Sequence, residues 1–372
     1  MPLILLAAGM AIVLAAILWL RLHPFLALII AGLAVALLTP SDLLSEYANL
    51  QVETGKLSEK QASSLVSTSA PKRLVSEFGI ACGKVGIIIA MAAIIGQCLL
   101  ASGAAHRIVE AILSLFGKTR AALAFIVSGF TLAIPVFFDT VFYLLMPIGR
   151  ALHQKTGKDY LLYVLAIVAG GTMAHSLVPP TPGPLFVANE LGVPLGTMIL
   201  GGLIVGSGAV TFGYLFARHA NARHTVTPDP SIAPQAPPRP DNLPNLFLSL
   251  LPVILPVALI TLGTALAPYT KSLQAPTPAW LNLINFLADK NVALILSATV
   301  ALVVLARATS GDPDRLRKQT GIALASGATI ILITAAGGAF GGVLRQTGIA
   351  TQIQQLASSA QLGVLPLVFL VT

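Results

Sequence analysis

Apolar runs of about 20 residues, the length that crosses a bilayer, recur along almost the whole chain and limit its fold more than any other feature. They lie at 2–20, 24–39, 84–102, 159–176, 195–217, 246–268, 283–306 and 321–344, and another begins near 361. Of the 372 residues, 56% are apolar and 10% are charged, with a mean hydropathy of +0.86. A soluble protein carries about 25% charged residues, and disordered chains are far less apolar. The sequence therefore predicts an all-α polytopic membrane protein.

The basic residues predict its orientation, because cytoplasmic loops are enriched in Lys and Arg. Arg21, the clusters at 107–120 and 150–158, and the loop 307–318 are expected on the cytoplasmic side. The charge-balanced segment 40–73 and the surroundings of Lys271 are expected outside. The net charge of +8 fits such loops, so nucleic acid is not an expected partner, whereas membrane lipid is.

A proline-rich segment divides the chain. Residues 218–245 contain seven prolines, from Pro228 to Pro244, which favours a flexible, partly extended linker. The sequence thus predicts a transmembrane half at 1–217, a cytoplasmic linker at 218–245, and a second, incomplete transmembrane half at 246–372.

The apolar region 121–149 is interrupted in its middle and is flanked at both ends by basic clusters. We interpret it as a re-entrant hairpin of two half-length helices, which a membrane protein tolerates only where the break is buried or lines a cavity. Residues 159–192 are interpreted as a broken helix.

An internal repeat connects the two halves. Residues 96–108 (GQCLLASGAAHRI) align with residues 341–353 (GGVLRQTGIATQI), and both glycines, a leucine and the final isoleucine coincide. The predicted topology runs the two copies in opposite directions across the membrane. Inverted repeats of this kind are typical of secondary transporters, whose substrate sites lie between the halves near the midplane; here the second repeat is incomplete.

Asp139 is a carboxylate in the centre of the apolar region 121–149, where a charge costs about 2.5–3.5 kcal/mol. Pro135, just before it, removes a backbone donor and breaks the helix, so the next half-helix offers its positive N-terminal end to an anion. We therefore predict that Asp139 and Thr140 contact substrate and that Asp139 carries a proton. The alternative is that Asp139 only caps the second half-helix.

The second candidate segment contains four prolines within six residues. Pro179, Pro180, Pro182 and Pro184 unwind a transmembrane segment just after His175 and Ser176. Imidazole titrates near neutral pH, so His175 is a candidate proton carrier as well as a substrate ligand, with Ser176, Thr181 and Gly183 as further ligands. The alternative is a hydrogen-bonded packing role for His175. The spans show no metal-ligand cluster and no Ser–His pair with an orienting acid, so no metal, cofactor or enzymatic activity is expected.

These motifs resemble those of the gluconate permease family of sugar-acid:proton symporters, within the wider ion-transporter superfamily. Residues 175–184 (HSLVPPTPGP) are similar to that family's proline signature, with Thr181 in place of its usual histidine, and residues 135–147 (PVFFDTVFYLLMP) are similar to its acidic, Phe-rich segment. The resemblance implies secondary active uptake of gluconate or a related sugar acid, coupled to protons, across the bacterial cytoplasmic (inner) membrane, and it favours a homodimer.

Family members continue beyond the position of Thr372, so the second hairpin is expected to be missing from this chain. Two alternatives stay open: a transporter of another small hydroxy acid or of a dicarboxylate, coupled to sodium, and a truncated paralogue that does not transport.

Overall fold

The computed structural model describes residues 1–228, 243–272 and 278–359, and within these ranges it contains helices and no strand. The predicted apolar segment near 361 and residues 229–242 of the proline-rich linker lie outside the described residues. The helices are α1 (Pro2–Leu18), α2 (Pro24–Leu38), α3 (Ser41–Glu53), α4 (Glu59–Ser67), α5 (Ala70–Ala101), α6 (Ala104–Phe116), α7 (Ala121–Leu132), α8 (Phe138–Thr156), α9 (Tyr160–Leu177), α10 (Pro182–Leu191), α11 (Leu195–Arg223), α12 (Leu246–Ser272), α13 (Ala279–Leu287), α14 (Lys290–Ala308), α15 (Pro313–Arg345) and α16 (Ile349–Ser359).

Six described segments are long and apolar enough to cross a bilayer: α5, α9 with α10, α11, α12, α14 and α15. The pair α2 and α3 also qualifies by composition but bends by 97°. Helices α1 and α7 are apolar but shorter, at 17 and 12 residues. This pattern confirms the all-α polytopic membrane fold.

The polar segment 40–73 is helical for most of its length. It forms α3, α4 and the first turn of α5, and the Ser58 hydroxyl with Gln61 forms a capping box at the start of α4. The span predicted at 84–102 therefore begins earlier, at Ala70, because the charged residues before it continue the same helix.

One compact unit comprises residues 1–84 and, among the described residues after 330, residues 331–359. Within it α1 packs against α2. A cluster of apolar side chains that includes Val35, Leu74, Ala339 and Val343 forms a buried core.

The other compact unit comprises residues 85–330. Helices α7, α9 and α11 pack against one another, and α12 packs against α6, α11 and α14. Helix α11 continues past Arg218 to Arg223, so the helical part extends into the segment interpreted as a linker. The predicted division into halves at 1–217 and 246–372 stays a prediction.

The two copies of the sequence repeat have the same local structure. Helix α5 ends at Ala101, Gly103 adopts a φ of +77°, and α6 follows; α15 ends at Arg345, Gly348 adopts a φ of +76°, and α16 follows. Only glycine adopts such left-handed angles readily, which explains why Gly103 and Gly348 coincide in the alignment. The opposite orientation of the copies stays a prediction.

Candidate functional site

The first helix break lies between α7 and α8, at residues 133–137. Pro135 cannot donate a backbone hydrogen bond, and the side chains of Pro135 and Val136 are buried. Gly96 of α5 lies against this break: a Cβ at Gly96 would be 3.4 Å from the carbonyl oxygen of Pro135. The break is thus covered by protein, as non-helical backbone in a membrane requires. Its re-entrant character stays a prediction.

Asp139 is the second residue of α8, and its side chain is exposed. Its Oδ1 accepts a hydrogen bond of 3.4 Å from the Thr140 hydroxyl. The residue at the N-cap is Phe137, and no side chain caps the helix. The interpretation of Asp139 as the N-cap is therefore wrong, and the first N–H groups of α8 have no side-chain acceptor in the described part of the chain. They form the positive end of the helix dipole.

The second break lies between α9 and α10, at residues 178–181, and the Pro179–Pro180 peptide bond is cis. The Val178 N–H donates to the carbonyl of Ala174 over 2.9 Å, and the buried Thr181 hydroxyl donates to the carbonyl of Val178 over 2.7 Å. Since proline has no N–H, only Thr181 and Gly183 offer backbone donors from Pro179 to Pro184.

His175 lies in the last turn of α9, and its ring meets the ring of Phe137 edge-on, with 6.3 Å between centroids. Its Nδ1 is buried and has no hydrogen-bond partner in the described residues. The neighbouring Ser176 is exposed, as is Gly183 on α10. His175 therefore joins the second break to the first.

Gly129 of α7 and Gly170 and Gly171 of α9 allow the two helix breaks to lie close together, because they let the backbones of α7 and α9 approach each other. A Cβ at Gly129 would be 3.1 Å from the Gly171 nitrogen, and a Cβ at Gly170 would overlap the carbonyl of Ile126. A Cβ at Gly171 would be 2.8 Å from the Phe138 ring. Small residues at such crossings are typical of membrane helix packing.

A cavity of about 40 Å³ lies beside the first break, between α5, the break and α15; its lining includes Gln97, Pro135, Phe137, Thr140 and Ser326. The amide of Gln97 donates to the side-chain oxygen of Gln319 over 2.7 Å. The volume holds a few water molecules and is far below the roughly 300 Å³ of a typical ligand pocket.

Thr140 lines this cavity, whereas the other predicted substrate ligands do not: Asp139, His175, Ser176, Thr181 and Gly183. The role of all six as ligands stays a prediction. The sequence analysis missed Gln97, Gln319 and Ser326. Their signal was available, because each is a polar residue within or beside a long apolar helix. In the described residues no group of three or more His, Cys, Asp or Glu side chains could hold a metal ion.

Comparison with known proteins decides the family. The family model described as "GntP family permease" matches residues 64–372. The chain belongs to the GntP permease family. Its six spanning segments in the described residues agree with a multi-pass protein of the bacterial inner membrane, and the family that it belongs to is one of permeases.

Bacterial permeases and transporters show the same similarity to this member of the GntP permease family. A gluconate permease of Pseudomonas aeruginosa is 30% identical over 354 residues, which are 94% of this chain and 72% of that protein. The Gnt-II system L-idonate transporter of Escherichia coli is 25% identical over 367 residues, 98% of this chain and 76% of that protein. An uncharacterized permease of Haemophilus influenzae is 30% identical over 307 residues, 79% of this chain; the matched part is 62% of that protein, less than two thirds.

Proposed function

We propose that this protein takes up gluconate or a related sugar acid by secondary active transport coupled to protons. Two relatives are named as a gluconate permease and an L-idonate transporter, which supports a sugar acid as substrate. The observation that carries the proposal is the contact of Phe137 with His175, because it joins the two helix breaks into one region.

In this proposal the substrate carboxylate binds the uncapped N-terminal end of α8, near Asp139 and Thr140. The N–H groups of Thr181 and Gly183 supply further donors, while Ser176 and His175 bind hydroxyl groups of the polyol. The Thr181 hydroxyl already donates to Val178, so it offers the ligand only a lone pair.

An electrostatic argument supports the proposed proton coupling. An anion that enters a negative-inside cell works against about 2.3 kcal/mol per charge for each 100 mV. One accompanying proton cancels that charge, and a second makes the potential drive uptake. Asp139 and His175 are the two titratable groups at the joined breaks, and we assign the proton to one of them.

Substrate binding requires the cavity beside the first break to enlarge. Its present 40 Å³ excludes a six-carbon acid, and Gln97 of its lining is hydrogen-bonded to Gln319 of α15. Movement that separates α5 from the start of α15 would break this bond and admit substrate, as alternating access requires.

A second candidate differs in the substrate and, for a dicarboxylate, in the coupling ion. Thr181 stands where the resembling family usually has histidine, which favours a change in the acid that is recognised. A shorter hydroxy acid such as glycerate, or a dicarboxylate coupled to sodium, is therefore the alternative.

The test is uptake of radiolabelled gluconate by proteoliposomes with an alkaline interior, beside Asp139→Asn. We expect a protonophore to abolish accumulation and Asp139→Asn to lower the initial rate by at least about tenfold, equivalent to 1.4 kcal/mol. Glu46→Gln, an exposed acid on α3, is the control. Uptake that ignores the pH gradient would refute proton coupling, and uptake that needs sodium or is competed only by glycerate or a dicarboxylate would favour the second candidate.

A further inference from the structure

A separate cavity of about 320 Å³ lies within the unit of residues 1–84 and 331–359, between α3, α4 and the first turns of α5; its lining includes Tyr47, Gln51, Lys56, Arg73, Glu77 and Gln346. Its volume reaches the lower limit of ligand pockets, about 300 Å³. We propose that this cavity binds a small hydroxylated monocarboxylate. The proposed transport site contains none of these residues.

Arg73 supplies the main reason to expect an anion. Its side chain is only 5% exposed. One terminal nitrogen donates to the side-chain oxygen of Gln346 and the other to the carbonyl of Ala36, each over 2.9 Å. Its Nε is buried without a hydrogen-bond partner among the described residues. A buried cation whose partners are all neutral is costly unless a counter-ion reaches it.

Glu77 does not neutralise Arg73 directly. Its Oε1 accepts from the Gln346 amide over 2.9 Å, and its Oε2 lies 3.9 Å from the Arg345 guanidinium. The Glu77 side chain occupies the space that a Cβ at position 342 would need, so Gly342 permits this arrangement. The lining therefore carries Lys56 and Arg73 against the single carboxylate of Glu77, and a monoanion would balance the remaining positive charge.

The neutral lining groups favour a hydroxylated ligand. The part-buried Tyr47 hydroxyl and Gln51 amide and the exposed Ser76 hydroxyl have no protein hydrogen-bond partner in the part of the chain that the structure describes. Polar groups that are shielded from water are normally paired, which applies to Tyr47 and Gln51. The hydroxyl groups of a hydroxylated acid would form hydrogen bonds with these side chains. A carboxylate with an unsubstituted hydrocarbon chain has no groups to do so.

The test places a single fluorophore in this cavity. Leu57→Trp, at a lining residue, is made together with Trp19→Phe and Trp280→Phe, so that tryptophan emission reports on this cavity alone. The purified, delipidated protein is titrated with sodium gluconate at constant ionic strength. We expect a saturable change, and Lys56→Gln should weaken the apparent affinity about tenfold, as for a charged hydrogen bond. Lys60→Gln, an exposed lysine on α4 outside the lining, should leave it unchanged.

Three results would overturn the proposal: no saturable change with gluconate or glycerate, an equal change with sodium chloride, or a change with phosphatidylglycerol vesicles only. Asp139→Asn in the reporter protein separates this site from transport, because it should leave the titration intact. Arg73→Lys is the second variant, since it keeps the buried charge while it loses the forked geometry; weaker gluconate binding in a protein with unchanged thermal unfolding supports the assignment.

Discussion

The aromatic ring of Phe137 lies edge-on against the imidazole of His175, with an interplanar angle of 77°. Phe137 is the N-cap of α8, and His175 lies in the last turn of α9. The start of one helix and the end of another are therefore held together by a pair of rings beside an uncapped helix terminus.

Removal of the Phe137 ring should impair uptake without unfolding the protein. An aromatic pair contributes about 0.5–1.5 kcal/mol, so we expect Phe137→Ala to lower the initial rate of gluconate uptake roughly twofold to tenfold. Tyr143→Ala is the matched control, because that ring is 71% exposed. Equal rates for Phe137→Ala and the unaltered protein would show that the ring contact does not matter to transport.

The side chains of Gln97 and Gln319 should show a coupling energy in the free energy of unfolding. A neutral hydrogen bond contributes about 0.5–1.5 kcal/mol, so a double-mutant cycle of Gln97→Ala and Gln319→Ala should give a coupling energy of that size in chemical unfolding. The pair Gln97→Ala and Thr299→Ala, the latter exposed on α14, serves as the reference. Strict additivity of Gln97 and Gln319 would contradict the hydrogen bond.

Gly170 should tolerate no larger side chain. A Cβ at this position overlaps the Ile126 backbone, which cannot move away as a flexible side chain would. We expect Gly170→Ala to lower the free energy of unfolding by about 1–3 kcal/mol. Gly208→Ala, in open space on α11, should instead be neutral or stabilising by up to about 1 kcal/mol. Thermal unfolding in detergent compares the two; similar stabilities would disprove the close α7–α9 approach.

The sequence predicts both helix breaks, because proline acts on its own neighbourhood. Pro135, Pro179 and Pro180 interrupt their helices at the expected positions, whereas Pro182 and Pro184, also predicted to break the helix, lie in the first turn of α10 because proline is tolerated there. The side chains that pair across the fold were not predicted. Gln97 and Gln319 are 222 positions apart, and Arg73 and Gln346 are 273 apart, so no local pattern connects them.

The helices of the polar segment 40–73 were not predicted from the sequence. Its charge balance predicts only an external position, yet the segment contains α3 and α4. Helix α3 buries only Leu44 and Ala48, and α4 buries only Ala62. So few buried apolar positions on each helix give little periodicity in a hydropathy profile.

The glycines at the two repeat turns should respond alike to substitution. Gly103 and Gly348 have φ angles of +77° and +76°, and an L-residue in this region costs about 1–2 kcal/mol. We expect Gly103→Ala and Gly348→Ala each to lower the free energy of unfolding by that amount, whereas Gly86→Ala, inside α5 with open space around it, should not. A loss at one position only would separate the two turns.

The matching turns bear on how this protein arose. If one ancestral segment was duplicated, each copy inherited a turn whose left-handed backbone angle favours glycine. Later divergence could replace the surrounding side chains but not this glycine. A saturation mutagenesis screen of this single gene would then record its duplication as two equally intolerant positions, 245 codons apart.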